Sequence, residues 1–360
     1  MDLTVDFSGL EFRNPILTAA GPQSRDGNTL IAAANGGAGA LVAKTISIEP
    51  AIVAKPNMAV VDRTRKSLVN VELWSELTPE QWLSTEYQLA KSPGLPLIGS
   101  VGYTAEEVAK LAPQMVEAGC DAIEFSLHYV EAAEEIPKAL KEVVEVPIIA
   151  KLSPHRSPEI EELINRMDPY VDGYTAINSF GPVLHIDIET AQPVLGGPNG
   201  HGWISGWALR PLAVRCVADI ARATKKPIIG IGGVFSGKDA LEHIMCGATA
   251  VGVCSAAILL GQTIYGKIAS EISTWLKSRG YDTIEDIRGK ALSNLPAKSR
   301  RTHIIPPTVT ENCNLCKLCI KSCAFGALSI KENELIVDEI KCAGCGLCTT
   351  VCPREGITIQ

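Results

Sequence analysis

Eight of the twelve cysteines of this 360-residue chain fall in its last stretch, as Cys313-Asn-Leu-Cys316-Lys-Leu-Cys319-Ile-Lys-Ser-Cys323 and Cys342-Ala-Gly-Cys345-Gly-Leu-Cys348-Thr-Thr-Val-Cys352-Pro353. No other feature restricts the fold as much, because thiolates this close in sequence converge only if the backbone wraps tightly around what they hold. The chain starts MDLTVDFSGL, without the basic segment and apolar run of a secretory leader. It has no stretch near the roughly 20 apolar residues of a membrane span. The expectation is a cytoplasmic protein, where thiols stay reduced and clustered cysteines bind metal more often than they pair as disulfides. Zinc takes four ligands with a longer gap between pairs, unlike these runs. A net charge of −7 argues against a basic face for nucleic acid.

The spacing is that of the bacterial two-cluster ferredoxins, in which the fourth cysteine of each run ligates the other cluster. On that pattern Cys313, Cys316, Cys319 and Cys352 hold one [4Fe–4S] cluster, and Cys342, Cys345, Cys348 and Cys323 hold the second. Ala343, Gly344 and Gly346 are small enough for tight wrapping and leave N–H groups for the sulfides. Ala324 stands where proline is usual, which affects the turn and not the ligands. Leu328-Ser-Ile330 and Leu335-Ile-Val337 alternate as two short strands between the runs.

The preceding residues, 1–295, repeat a different pattern: a short apolar run, a Gly or polar residue, then an amphipathic stretch. With 46% hydrophobic and 20% charged residues the chain is an ordinary globular one. Expected strands are Ile16–Ala20, Ala40–Lys44, Leu97–Val101, Ala122–Ser126, Ile148–Lys151, Gly173–Asn178, Ile228–Gly232 and Ala250–Cys254. Successive ends are 24, 57, 25, 25, 27, 54 and 22 residues apart, so five intervals fit one strand-helix unit and two carry insertions. Eight such units read as a (β/α)8 TIM barrel of the α/β class, with chemistry on the loops after the strands. A doubly wound sheet would bring a G-x-G-x-x-G turn after its first strand, and Ala19-Ala20-Gly21-Pro22 is not one. Gly232-Gly-Val-Phe-Ser-Gly237-Lys238 is superficially like a P-loop, but Asp239 stands where Ser or Thr would hold magnesium. In a barrel, Gly232-Gly233 and Cys254-Ser255 follow strands seven and eight, the usual phosphate-binding loops. Lys44 and Lys151 end two strands and bring two cations to the same mouth. The domain reading is 1–295 barrel, 296–309 linker and 310–360 two-cluster ferredoxin.

Several stretches resemble the flavin-dependent dihydroorotate dehydrogenase family, and most closely the dihydropyrimidine dehydrogenase module that carries a C-terminal two-cluster ferredoxin. They are Thr18-Ala-Ala-Gly21, Lys44-Thr45, Ser67-Leu-Val-Asn70-Val-Glu72-Leu-Trp74-Ser75, Lys151-Leu-Ser-Pro154, Ile177-Asn178-Ser179, Ile204-Ser-Gly-Trp-Ala-Leu-Arg-Pro211, Gly232-Gly233 and Val253-Cys-Ser255, in family order. The resemblance implies FMN in the barrel. Ala19, Ala20, Gly21, Lys44 and Thr45 would lie along its ring system with Ser126 and Ile177, and Lys151 would approach the N1/C2=O edge. Ser205, Gly206, Gly232, Gly233, Cys254 and Ser255 would hold the phosphate. Asn70, Glu72, Asn178 and Ser179 match positions that bond the substrate ring in the pyrimidine enzymes. Taken alone, Asn70 reads equally as a helix cap and Glu72 as a surface charge.

One departure bears on the substrate. After the fourth strand the family has Asn, an apolar residue, Ser, then a catalytic Cys or Ser and Pro, where this chain has Ser126-Leu127-His128-Tyr129-Val130. Glu131–Glu135 already reads as the next helix, so the loop is short. Tyr129, aligned with the missing Cys, and His128 are the two candidates for general acid or base; the other reading is that both pack under the loop. His155, His185 and His201 are weaker candidates for the mouth, and His243 reads as structural. Trp74, Trp203 and Trp207 suit an aromatic wall, with plain packing the equal alternative, while Cys120, Cys216 and Cys246 read as small buried hydrophobes.

The expected activity is electron transfer between two [4Fe–4S] clusters and FMN, reducing or forming an activated C=C bond in a small, cyclic substrate. The alternatives are a dihydropyrimidine or dihydroorotate dehydrogenase with an unusual proton donor, and an electron-transfer subunit without catalysis. No nicotinamide fingerprint occurs, so the expected partner is an NAD(P)H-oxidising subunit or a ferredoxin. A homo-oligomer is expected by analogy with the family.

Overall fold

The computed structural model describes residues 1–61, 64–127, 133–153, 160–298 and 303–359. Two compact units make up the chain, Met1–Leu295 and Pro296–Gln360. In the first, the eight apolar runs become β1 (Ile16–Thr18), β2 (Leu41–Val42), β3 (Leu97–Val101), β4 (Ala122–Ser126), β5 (Ile148–Leu152), β6 (Gly173–Ala176), β7 (Ile228–Ile231) and β8 (Ala250–Val253). All pair in parallel, in the order β1-β8-β7-β6-β5-β4-β3-β2, as a nearly closed barrel. The runs lack polar alternation because both faces of a parallel barrel strand are covered. Every residue of β3, β4 and β5 is buried.

Helices α1 (Gly27–Asn35), α2 (Tyr87–Lys91), α3 (Ala105–Glu117), α4 (Glu135–Val143), α5 (Ile160–Met167), α6 (Arg210–Ala223), α7 (Gly237–Met245) and α8 (Ile264–Arg279) follow the eight strands in turn. In α3, Val108, Leu111, Ala112 and Met115 form one buried stripe at helical spacing, and Thr104 caps its start by accepting from the Glu107 N–H. The helix expected from Glu131 begins instead at Glu135; the Glu134 carboxylate accepts from Arg166 Nε at 3.1 Å, and Glu131 lies outside the described residues.

Five strands stop one or two residues before the ends expected from sequence, at Thr18, Val42, Ala176, Ile231 and Val253. The residues that follow leave the ladder and turn toward the barrel mouth. At the seam between β1 and β2 no backbone ladder forms. Instead the fully buried Thr18 hydroxyl donates to the Val42 carbonyl at 2.9 Å and accepts from the Val42 N–H at 2.6 Å. One side chain thus satisfies two backbone groups that would otherwise be orphaned in the core.

The two long intervals meet. Met58–Val60 and Ser67–Asn70, after β2, pair antiparallel with His201–Gly206 and Phe180–Leu184, after β6, in one four-stranded sheet. Trp203 faces Asn70 and Gly206 faces Ser67 across it. Val69, Val71 and Leu195 form a small core of its own.

In the second unit the hairpin Leu328–Lys331 and Glu334–Val337 and the pair Thr308–Val309 and Ile357–Thr358 frame two short helices, Leu318–Ser322 and Leu347–Thr350. The two halves repeat. Leu315 and Lys317 in the first cysteine run, and Gly344 and Gly346 in the second, all take left-handed backbone, with φ of 57, 66, 62 and 79°. That conformation costs a residue with a Cβ roughly 1–2 kcal/mol. The buried core here is small: Cys319, Leu328, Leu335 and Ile357.

Replacing Thr18 by the isosteric Val leaves the Val42 N–H and C=O unpaired in the core. We expect a loss of about 1–3 kcal/mol in chemical denaturation of the barrel; an unchanged midpoint would show that other contacts hold the seam.

Candidate active site

A cavity of about 620 Å³ opens at the C-terminal ends of the barrel strands, beneath the antiparallel sheet. That is within the range of about 300–1,000 Å³ usual for small-ligand sites. It is lined by Ala19, Ala20 and Gly21 after β1, Lys44 and Thr45 after β2, Ser126 on β4, Lys151 on β5, Ile177, Asn178 and Ser179 after β6, Gly232 and Gly233 after β7, and Cys254 and Ser255 after β8. The overlying segments add Asn70, Glu72, Ser205 and Gly206. The structure therefore gathers every candidate cofactor and substrate residue that it describes into one space. Tyr129, His128 and His155 lie outside the described residues.

Both lysines are nearly buried and both are ion-paired, in different ways. Lys44 Nζ lies 2.8 Å from Glu72, whose other oxygen accepts from Asn57 Nδ2. Asn70 ties this corner to the sheet: its Oδ1 accepts from the Glu72 N–H at 3.2 Å and its Nδ2 donates to the Trp203 carbonyl at 3.2 Å. Asn70 is thus a strand-end residue and Glu72 a half-buried ion partner, rather than a helix cap and a surface charge. Lys151 Nζ lies 3.6 Å from Glu124, a carboxylate with no exposure on β4. Thr175 donates to Glu124 Oε2 at 2.8 Å, and Ser100 reaches Oε1 at 3.5 Å while bonding Thr45 at 2.8 Å. A charge buried so deeply persists only when paired and hydrogen-bonded.

Elsewhere in the lining the Ser205 and Ser255 hydroxyls bond each other at 3.0 Å. Beside them Gly232 and Gly233 have φ of +133° and +73°, and a Cβ on Gly233 would come within 2.5 Å of Arg210 Cβ. Only glycine passes there, and bare backbone forms that wall. His243 lies behind it as expected, fully buried in α7, its pKa pushed down to about 4 by burial. Neutral, it bonds the Gly232 carbonyl at 3.1 Å through Nε2, which carries the proton because a carbonyl only accepts. Cys254 donates to Gln23 Oε1 at 3.0 Å, and burial pushes its thiol up to about 11, so it is not a thiolate nucleophile at neutral pH. The lining thus combines hydroxyls and bare backbone, small residues and buried cations, the kinds of group that suit the phosphate, the flat ring system and the electron-rich ring edge of FMN.

Trp74 and Trp203 line the cavity, and Trp74 packs edge-on against Tyr103 with ring centroids 5.6 Å apart. Trp207 is a correction. It does not line the cavity and sits instead under Lys66 and Arg210, 4.7 and 5.5 Å from its ring. His185, between two short strands, and His201, exposed at the first position of its strand, also stay out of the lining. Sequence reading missed Glu124 and Tyr103. A lone acid within the apolar run Ala122–Ser126 was the available signal for the first, and a tyrosine two residues past the end of β3 for the second. Burial, with the Glu107 charge adding to it, pushes the Tyr103 phenol up to about 12.

In the second unit two small cavities are each surrounded by four cysteines. Cys313, Cys316, Cys319 and Cys352 line one; Cys323, Cys342, Cys345 and Cys348 line the other. Backbone N–H groups of Ala327, Gly344 and Gly356 point at Cys323, Cys342 and Cys352 sulfurs at 3.2–3.4 Å. Those of Arg354 and Gly356 hold the Cys352 thiol below its ordinary range, while burial raises Cys319 and Cys348. Among the described residues no three His, Cys, Asp or Glu side chains converge on a single-ion site. The sulfurs instead stand around spaces, as ligands of a cube do.

Comparison with known proteins accords with both units. The family described as dihydroorotate dehydrogenase matches residues 126–276, and the 4Fe-4S dicluster domain matches residues 312–355. Proteins named dihydroorotate dehydrogenase B (NAD(+)), catalytic subunit, are similar over most of the chain. Those of Thermoplasma acidophilum and Pyrococcus abyssi are each 33% identical over 305 and 304 residues, covering 81% of this chain and 99% of theirs. That of Methanosarcina mazei is 35% identical over 305 residues, covering 80% and 95%. Among the described residues no helix is long and apolar enough to cross a membrane. Identity sustained across nearly the whole length of such relatives exceeds what a shared fold alone would give, and the chain belongs to the dihydroorotate dehydrogenase family, FMN-dependent oxidoreductases acting on CH–CH bonds, here joined to a 4Fe-4S dicluster domain.

Proposed function

We propose that this enzyme passes electrons between two [4Fe–4S] clusters and FMN to reduce, or form, an activated C=C bond in a small cyclic substrate. The observation that carries the reading is the one cavity that brings together two glycines and two serine hydroxyls, a run of small residues, two lysines, Asn70, Glu72 and two tryptophans. FMN, when bound, would exchange single electrons with the clusters and a hydride with carbon. The chain does the rest. Lys151 sets a cation against the ring edge, Ser205, Gly206, Gly232, Gly233, Cys254 and Ser255 hold the phosphate, and Asn70, Glu72, Asn178 and Ser179 orient the substrate. Trp74 and Trp203 exclude water and favour a planar molecule. Cys313, Cys316, Cys319 and Cys352 hold one cluster, and Cys323, Cys342, Cys345 and Cys348 the other.

Dihydroorotate, the substrate in the relatives' names, needs a proton handled at the carbon next to the one exchanging hydride. Tyr129 or His128 does this in our reading, with Tyr103, a cavity-lining phenol kept protonated by burial, as a third candidate. The relatives are named catalytic subunits, which supports a separate NAD(P)H-oxidising or ferredoxin partner. A cytoplasmic location and a homo-oligomer belong to the same reading.

Anaerobic reduction followed by a screen of pyrimidines, cyclic enones and aryl or acyl-CoA alkenes tests the function. One class is expected to reoxidise the flavin with saturation; reoxidation by none would favour an electron carrier without catalysis. Given a substrate, Tyr129→Phe, His128→Gln and Tyr103→Phe are compared, and loss of the true donor should slow turnover by about 10²–10⁴-fold. Unchanged rates in all three would eliminate the set. Iron chelation should unfold residues 310–360, whose core is too small to stand alone, and leave the barrel transition in place. A single transition lost as one would contradict that independence.

A further inference from the structure

We propose that Glu124 is the positioning residue that sets the charge at the flavin edge of the cavity, acting through Lys151. The inference rests on the reading that FMN occupies this mouth. Two lysines reach the cavity, but their counter-ions stand differently. Glu72 lines the cavity beside Lys44, so that pair faces the space as a neutral couple. Glu124 does not line it; with no exposure, it pairs with Lys151 from within the barrel. The Lys151 ammonium is therefore held between its counter-ion behind and the cavity in front, and the positive end of the pair is what a ligand meets.

The carboxylate is fixed from both sides. Thr175 donates to Oε2 from β6, and Ser100 reaches Oε1 from β3. Through Ser100 the same network extends to Thr45, a second cavity-lining residue. Glu124 thus holds groups on two sides of the mouth without touching a ligand itself. Removing its charge leaves Lys151 uncompensated, which favours the more negatively charged, reduced form of a group bound in front of it. Removing Lys151 acts in the opposite direction.

The test is the flavin midpoint potential of the holoenzyme, measured together with FMN content. Glu124→Gln keeps the acceptor for Thr175 and is expected to retain FMN while the potential moves positive. Lys151→Met should move it negative, and on that background Glu124→Gln should add nothing, since its effect runs through the lysine. Glu124→Asp, which restores the charge at a shorter reach, should return the potential part of the way to wild type. The proposal is overturned if Glu124→Gln leaves the potential unchanged while Lys151→Met shifts it, or if Glu124→Asp lies no nearer wild type than Glu124→Gln. If Lys151→Met also leaves the potential unmoved, the placement of FMN at this mouth fails instead.

Discussion

The mouth of this barrel takes its shape from the seam where its first two strands meet. With only Leu41 and Val42 in β2, a backbone ladder has nowhere to run, and the Thr18 hydroxyl bridges the gap in its place. Ala19, Ala20 and Gly21 continue directly from Thr18, and Lys44 and Thr45 lie just past Val42. The residues expected against the flavin therefore flank the point of closure. Any slip there would spread one wall of the cavity, which is why a fully buried donor and acceptor in a single side chain suits the position better than a longer strand.

Charge inside the barrel obeys a similar economy. A hydrophobic interior would be simpler to build, and replacing buried ion pairs by packed apolar groups is often neutral or stabilising. Retaining Glu124 and Lys151 at the centre therefore points to something other than stability. Lys44 and Glu72 differ in kind, because Asn57 and Asn70 tether the acid to the overlying sheet. One pair belongs to the scaffold and the other to the cover, so the two cations answer to different parts of the molecule.

Much of this was legible in the sequence, for identifiable reasons. Barrel strands buried on both faces appear as apolar runs, and all eight were readable; their ends were placed too late where residues such as Lys44, Asn178 and Cys254 leave the ladder to line the mouth. The cysteine pattern was legible because its meaning is local. The four-stranded cover was not, since its strands are short and interrupted by Gly and Pro, and its two halves join across more than a hundred residues, as Asn70 does with Trp203. That hidden topology also misdirected His185, His201 and Trp207. Glu124 is hidden in the sequence because it sits inside an apolar run that reads as one strand, although a lone carboxylate in such a run needs a partner.

The crossed arrangement of the cysteines nests one loop of the second unit inside another. The cavity lined by Cys323 and Cys342 closes an inner loop, and the one lined by Cys319 and Cys352 closes an outer loop that contains it. Closing a loop costs more entropy the longer the free chain. Closure of either loop shortens the free chain that the other must gather, so the two cages and the hairpin at Leu328–Lys331 between them support one another. The nesting makes two otherwise similar cages unequal in the length of chain that each must close.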